Sequence, residues 1–251
     1  MTGEAAVASV ALDHSRPSAW VTGYDLIADE YYEPRHITSR NFDAATQTYF
    51  REQRFPFPSD GLALDVGAGR GRLGEYCGIS PMQILQLDLA PEMLRLPSRE
   101  SALGRIQADA LALPFKTGVF AIVAAFLFDP FNQRLFFEQV SRVLKRGGVF
   151  VGTIPHYAWG VALRSYRGNA VDEAVFALKT GERVSQPSFL SRPEELSERL
   201  EGAGLSVIKS EALTLPHDVI RISPDIEAAA RVMGQSAYNI PIVQAVIATR
   251  A

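Results

Sequence analysis

The stretch that most constrains this chain is LALDVGAGRGRLGEYCGISPMQILQLD, residues 62–88. An apolar run ends at Val66 and enters a loop carrying Gly67, Gly69 and Gly71; a short helical segment follows, and a second apolar run from Ile84 ends on Asp88. Strand, glycine turn, helix, strand and acid in that order build the edge of an open parallel sheet. There the glycines let the backbone approach a ligand closely, and the acid closing the next strand is placed to accept hydrogen bonds from ribose hydroxyls. The ligand class implied is a nucleoside-containing cofactor. Glycine spacing alone does not choose among such cofactors, because Gly69, Gly71 and Gly74 also satisfy the dinucleotide pattern G-x-G-x-x-G. Asp65 separates the alternatives: a pyrophosphate would bring negative charge to this strand end, whereas a carboxylate there suits a cationic ligand.

Asp65-Val66-Gly67-Ala68-Gly69-Arg70-Gly71 resembles the first motif of the class I S-adenosylmethionine-dependent methyltransferases, an acid, one residue, then G-x-G-x-G. Further matches follow in that family's order: Asp88 after the second strand, Asp109-Ala110 after the third, Leu113-Pro114-Phe115 before the fourth, and Val143-Leu144-Lys145-Arg146-Gly147-Gly148, similar to V-L-K-P-G-G. Upstream, Tyr24-Asp25-Leu26-Ile27-Ala28-Asp29-Glu30-Tyr31 resembles the Y-D-x-x-A-x-x-Y segment that closes over the cofactor in small-molecule methyltransferases of the methyltransferase-11 and ubiquinone-menaquinone type.

The resemblance implies S-adenosylmethionine as cofactor. Asp65, Gly67, Ala68 and Gly69 would hold its amino acid end, Asp88 its ribose, and Asp109 with Ala110 its adenine. Leu89 with Met93 or Leu111 would sandwich the ring, and Tyr24, Tyr32 and Phe126 would close the site. The implied fold is α/β, a doubly wound Rossmann-like sheet of six parallel-type strands and one antiparallel strand, helices on both faces and a helical lid.

The acceptor side departs from the family. Ala121 replaces the aspartate of F-D-x-V, and Phe126-Leu127-Phe128-Asp129-Pro130-Phe131-Asn132 stands where H-H-x-x-D is frequent. Asp129-Pro130-Phe131 invites comparison with the D-P-P-Y of nucleic-acid and protein amino-group methylases, but it lies several residues beyond the strand end and lacks the second proline. Methyl transfer needs a general base only when the acceptor must lose a proton. His156, just after the fifth strand, is the first candidate and Asp129 the second; His36 and His217 read better as loop residues. No His, Cys, Asp or Glu spacing points to a metal.

Composition sets the remaining bounds. At 251 residues and 47% hydrophobic the chain can bury a real core, and a net charge of −3 argues against nucleic acid as a partner. The lone Cys77 reads as a small core or site-wall residue of a reducing compartment. The longest apolar run, residues 119–128, is half of what a bilayer span requires. The expectation is a cytoplasmic protein with a small-molecule substrate and no membrane.

Along the chain, residues 1–21 are expected to be a flexible tail and 22–251 one domain, with cap helices at 22–33 and 39–53 before the sheet. Helices are expected at 91–96 and 132–145, the latter closed by Gly147 and Gly148, and strands at 104–109, 119–126 and 148–154. Residues 155–191, rich in aromatics, are too long for a structureless loop and are expected to form a helical lid, with one helix at 171–179. A helix at 192–203 and strands at 205–213 and 240–249 complete the pattern. Three other functions stay open: a cofactor-binding sensor or partner subunit without catalysis, a nucleic-acid or protein amino-group methylase, and a nicotinamide-dependent reductase.

Overall fold

The structure is a computed structural model that describes residues 9–10, 17–53, 55–96, 102–170 and 172–251. In chain order the elements are β1 (Ser9–Val10), α1 (Pro17–Tyr31), α2 (Ile37–Gln53), β2 (Leu62–Val66), α3 (Leu73–Cys77), β3 (Ile84–Asp88), α4 (Pro91–Arg95), β4 (Gly104–Gln107) and β5 (Phe120–Phe126). There follow α5 (Arg134–Val143), β6 (Leu144–Pro155), α6 (Tyr157–Arg167), β7 (Glu173–Ala177), β8 (Arg183–Pro187), α7 (Pro193–Gly202), β9 (Leu205–Leu213), α8 (Pro224–Met233) and β10 (Val243–Arg250).

Seven strands form one sheet in the order β4-β3-β2-β5-β6-β10-β9. All run parallel except β10, which lies antiparallel between β6 and β9. The alternating side chains of each strand divide the core in two. Ala63, Ile122, Ala124, Ala245 and Ile247 face the α2 side with Phe42 and Tyr49. Leu64, Val66, Val123, Ala125 and Val246 face the other side, where α5 inserts Phe136, Phe137, Val140 and Val143 at the three- and four-residue spacing of a buried helical stripe.

Parallel crossovers bring the carboxyl ends of β2, β3, β4 and β5 to one edge. Asp65 stands in register with Gln86, Asp88 with Gln107, and Phe126 with Thr153, so acids far apart in sequence become neighbours.

The lid differs from the expected all-helical insertion. Only α6 is helical; β7 and β8 form an antiparallel hairpin, which β1 extends in parallel to a second, three-stranded sheet. Residues 173–177 have the alanines and glutamate of a helix former, yet pairing with β8 decides their state. The turn closes at Gly181, φ +88°, where Leu178 N–H donates to Glu182 O at 2.8 Å. Val171, the start of the expected helix, lies outside the described residues. The expected tail is also shorter: α1 begins at Pro17 and residues 9–10 pair with β8, while the rest of the tail lies outside the described residues.

Gly147 and Gly148 do not cap α5. That helix stops at Val143, and the positive φ of Gly147 (+72°) serves a bulge in β6, where the register with β5 shifts between Phe120 and Ile122. Helix α8 had a readable signature that the sequence reading passed over: Ser223 as cap, Pro224 in the first turn, Asp225 and Glu227 beside it, and Gly234 after the end.

Candidate active site

The glycine loop after β2 is held in a fixed shape by its neighbours. Gly67, Gly69 and Gly71 have φ of +65°, +51° and +83°. The carboxylate of Asp88 accepts from Gly69 N–H (2.8 Å) and Ala90 N–H (3.0 Å), tying the loop to the end of β3. Burial pushes the Asp88 carboxyl up, and these backbone donors draw it back down. From the turn just after α1 comes the next clamp: Tyr32 accepts from Arg70 N–H at 3.3 Å, and the Arg70 guanidinium sits 4.1 Å from the centre of the Tyr32 ring. A side chain at Gly69 would place its Cβ 2.2 Å from the Tyr32 hydroxyl, so only glycine fits beneath it.

Around this loop lies a cavity of about 420 Å³. Tyr24, Tyr32, Asp65, Gly67, Ala68, Asp88, Leu89, Met93, Asp109, Ala110 and Phe126 all line it, as the sequence reading grouped them. Gly69 of that set does not; its amide is spent on Asp88. Asp109 turns the chain after β4 by accepting from Leu111 N–H at 2.8 Å, which presents Ala110 to the cavity. Phe126 is wedged edge-on against Tyr76, ring centres 4.8 Å apart.

Sequence reasoning missed the wall supplied by α2. Ser39, Arg40, Asp43 and Gln47 line the cavity from one helical face, a polar stripe at three- and four-residue spacing that could have been read. Asp43 accepts from Arg72 Nη2 (2.8 Å) and from the Tyr76 hydroxyl; Arg72 Nη1 also donates to Glu75 at 2.6 Å. Burial alone would lower Arg72, but Asp43, Tyr76 and Glu75 outweigh it and keep the guanidinium charged.

A second cavity, about 400 Å³, adjoins the first. The two share Tyr24, Tyr31, Ser39, Phe42 and Leu127 as common wall. Leu127 has φ +57°, a left-handed backbone that a leucine adopts only under constraint, here imposed partly by its N–H bond to Thr153 Oγ1 at 3.1 Å. Trp159 and Leu163 of α6, Phe176 of β7 and Ile37 of α2 supply aromatic and apolar walls, with Arg35, Arg164 and Arg167 among the polar ones.

Asp129 lines this second cavity and is 7% exposed. Burial pushes its carboxyl up to about 6, restrained by hydrogen bonding from Ser188 and by the Arg164 charge. His156 takes another role. It lines neither cavity and caps α6, its Nδ1 accepting from Ala158 N–H at 3.2 Å. Burial lowers its pKa, partly offset by Glu194. His217 stacks on Tyr238, while His36 lines the second cavity. Cys77 is half-buried against the core, its thiol pushed up by burial. Among the described residues no group of three or more His, Cys, Asp or Glu is arranged to hold a metal, and no helix is long and apolar enough to cross a membrane.

A parallel sheet with a glycine cradle and acids on successive strand ends defines a nucleoside-cofactor protein of the Rossmann-like class. Within that class, residues 64–152 match the family model described as a methyltransferase domain. No curated protein matches the chain. Among solved structures, one similar fold is in the complex of the Haloferax volcanii Trm112 methyltransferase activator with its candidate methyltransferase: TM-score 0.66, 18% identity, 96% of this chain and 99% of that one. A candidate S-adenosylmethionine-dependent methyltransferase of Listeria monocytogenes has a TM-score of 0.61 at 15% identity, over 84% and 99% of the two chains. An S-adenosylmethionine-dependent methyltransferase of Mesorhizobium loti gives 0.56 at 18%, over 83% and 100%. At such identities the likeness is one of fold.

Proposed function

We propose that the chain transfers a methyl group from S-adenosylmethionine, bound in the first cavity, to a small organic acceptor bound in the second. The observation that carries this reading is the shared wall: the cofactor cradle adjoins a second, partly aromatic space of substrate size. The residues present fit that cofactor. Asp65, 2% exposed, lies where a cationic amino group gains most from a carboxylate; Asp88 and Asp109 suit ribose and adenine donors; Leu89, Met93 and Ala110 are apolar enough for a ring. When bound, the cofactor supplies a methyl carbon already activated by its sulfonium.

What remains for the chain is to orient the acceptor and exclude water, which is where most of the acceleration of an in-line displacement arises. Tyr24, Tyr31 and Leu127 stand at the passage between donor and acceptor, and Asp129, rather than His156, is the group placed to take a proton. The amino-group methylase alternative is disfavoured because Asp129 is buried in a short helical turn, Asp129–Phe131, and not displayed to a macromolecule. We place the protein in the cytoplasm on its single thiol.

Calorimetry with S-adenosylmethionine and S-adenosylhomocysteine tests the reading. Both are expected to bind the wild type, and Gly67→Arg is expected to abolish binding by filling the cradle. No binding by the wild type, or undiminished binding by the variant, refutes it.

A further inference from the structure

Aromatic rings from four elements stand in the wall of the second cavity. Tyr31 of α1 meets Phe176 of β7 with ring centres 5.8 Å apart, and Phe42 of α2 meets Trp159 of α6 edge-on at 4.9 Å. Phe42 and Trp159 also belong to the core on the α2 side of the sheet, which holds their rings in place. A space of about 400 Å³ bounded in this way favours a flat, apolar guest that can lie against ring faces and edges.

The same wall carries three arginines, Arg35, Arg164 and Arg167, and three acids, Asp129, Glu173 and Asp225. Each guanidinium already has partners within the chain. Arg35 pairs with Glu30 and, at 3.2 Å, with Glu33; Arg167 pairs with Asp225, which also accepts from Thr38 Oγ1 at 3.2 Å. Arg164 donates from Nη2 to Ser188 O at 2.8 Å and to Ser188 Oγ at 2.9 Å, and the charges of Asp129, Asp172 and Glu173 act on it. Burial and the neighbouring Arg35 lower the pKa of His36 against the pull of Glu33, so its ring is neutral at neutral pH. An ionised guest would give up its hydration and meet, among the described residues, countercharges that are already engaged. A cation would also face three arginines, and an anion three carboxylates. An uncharged ring system loses little hydration and keeps every aromatic contact.

We propose that the second cavity selects an uncharged, flat aromatic acceptor over carboxylate, ammonium and zwitterionic molecules of the same size, with the ion pairs of Arg35 and Arg167 setting that specificity. As a statement about the acceptor this rests on the methyl-transfer reading; as a statement about what the cavity binds it rests on the walls alone. Both pairs are part-exposed, so each can be opened by substitution without removing a core residue. Opening one leaves the surviving charge on the cavity wall: Arg167 after Asp225→Asn, Asp225 after Arg167→Gln. Selectivity then shifts toward the ion of opposite sign.

The test is calorimetry of the full chain at neutral pH with four probes, 2-naphthol, 2-naphthoate, 2-naphthylmethylammonium and zwitterionic tryptophan, each with and without S-adenosylhomocysteine. The uncharged naphthol is expected to bind at least about tenfold more tightly than any charged probe. Phe176→Ala removes a wall ring that lies outside the first cavity; it should weaken naphthol binding about fivefold and leave the affinity for S-adenosylhomocysteine unchanged. Asp225→Asn should strengthen 2-naphthoate about threefold, and Arg167→Gln should do the same for 2-naphthylmethylammonium, the modest effect of a part-exposed charge. These two variants keep the test open should Phe176→Ala fail to fold. A charged probe binding as tightly as naphthol overturns the proposal, as does the failure of all four to bind. So does naphthol affinity unmoved by Phe176→Ala, or charge variants that leave the affinities of both ions unmoved. If S-adenosylhomocysteine does not bind while naphthol still leads the four probes, methyl transfer is refuted and the selectivity of the cavity stands.

Discussion

Replacing Asp129 by asparagine should stabilise the fold. The carboxyl is buried and its folded value, about 6, lies above the 3.8 of an unperturbed aspartate. A raised acid contributes its stability in full only while protonated, below the unfolded value, and loses it as pH rises through the folded one. Asparagine is isosteric and never ionises, so its advantage grows with pH. Linkage gives roughly 1.5 kcal/mol at pH 5 and roughly 3 kcal/mol at pH 8. Urea denaturation of both proteins at the two pH values measures this, with the m-value checking that both unfold alike. A variant less stable than wild type at pH 8, or a gain independent of pH, would refute the argument that an ionised carboxylate is held there against its solvation. The same substitution should lower methyl transfer about 100-fold or more, the usual worth of a positioned base. Together the two effects would mark Asp129 as a site where function is kept at the expense of stability.

Other substitutions probe the cradle and its supports. Asp88→Ala strands the Gly69 and Ala90 amides, and Gly69→Ala collides with Tyr32; each should weaken S-adenosylhomocysteine binding at least about tenfold by calorimetry, given about 1–3 kcal/mol per orphaned buried donor. Gly147→Ala forces a left-handed alanine where a methyl meets no described atom within 4 Å. It should therefore cost about 1–2 kcal/mol in urea from backbone strain alone. His156→Ala removes the cap of α6 and should cost about 1 kcal/mol, read from the thermal midpoint.

The cofactor side was legible because it is local in sequence. Asp65, Asp88 and Asp109 each end or follow a strand, and parallel connection places such ends side by side; knowing the strands meant knowing the site. On the acceptor side, residues from distant segments meet. Asp129 was nameable, but Arg164 and Ser188 join it in the second cavity's wall from the lid, with no spacing that announces them. His156 misled because a histidine after a strand end has two uses, and the first free amide of α6 claims its ring. The 173–177 run misled because its alanines and glutamate favour a helix in isolation, whereas its partner strand is supplied by residues 183–187.

The pairing of β1 with β8, and of Thr38 and Asn41 with Ser223 and Arg221, gives the two halves of the molecule different histories. Nearly all of the cofactor cradle comes from residues 24–131, whose strands connect through short crossovers. The second cavity draws on residues 24–42 and 223–225 at once, so a loop of some 180 residues must close before its walls exist. Contacts that distant in sequence form late. During synthesis the cradle can therefore take shape while the second cavity is still open, and pulse-labelled hydrogen exchange during refolding should protect β2, β3 and β5 before β7 and β8. A nascent chain would complete the first cavity before the second, whose walls wait for α8.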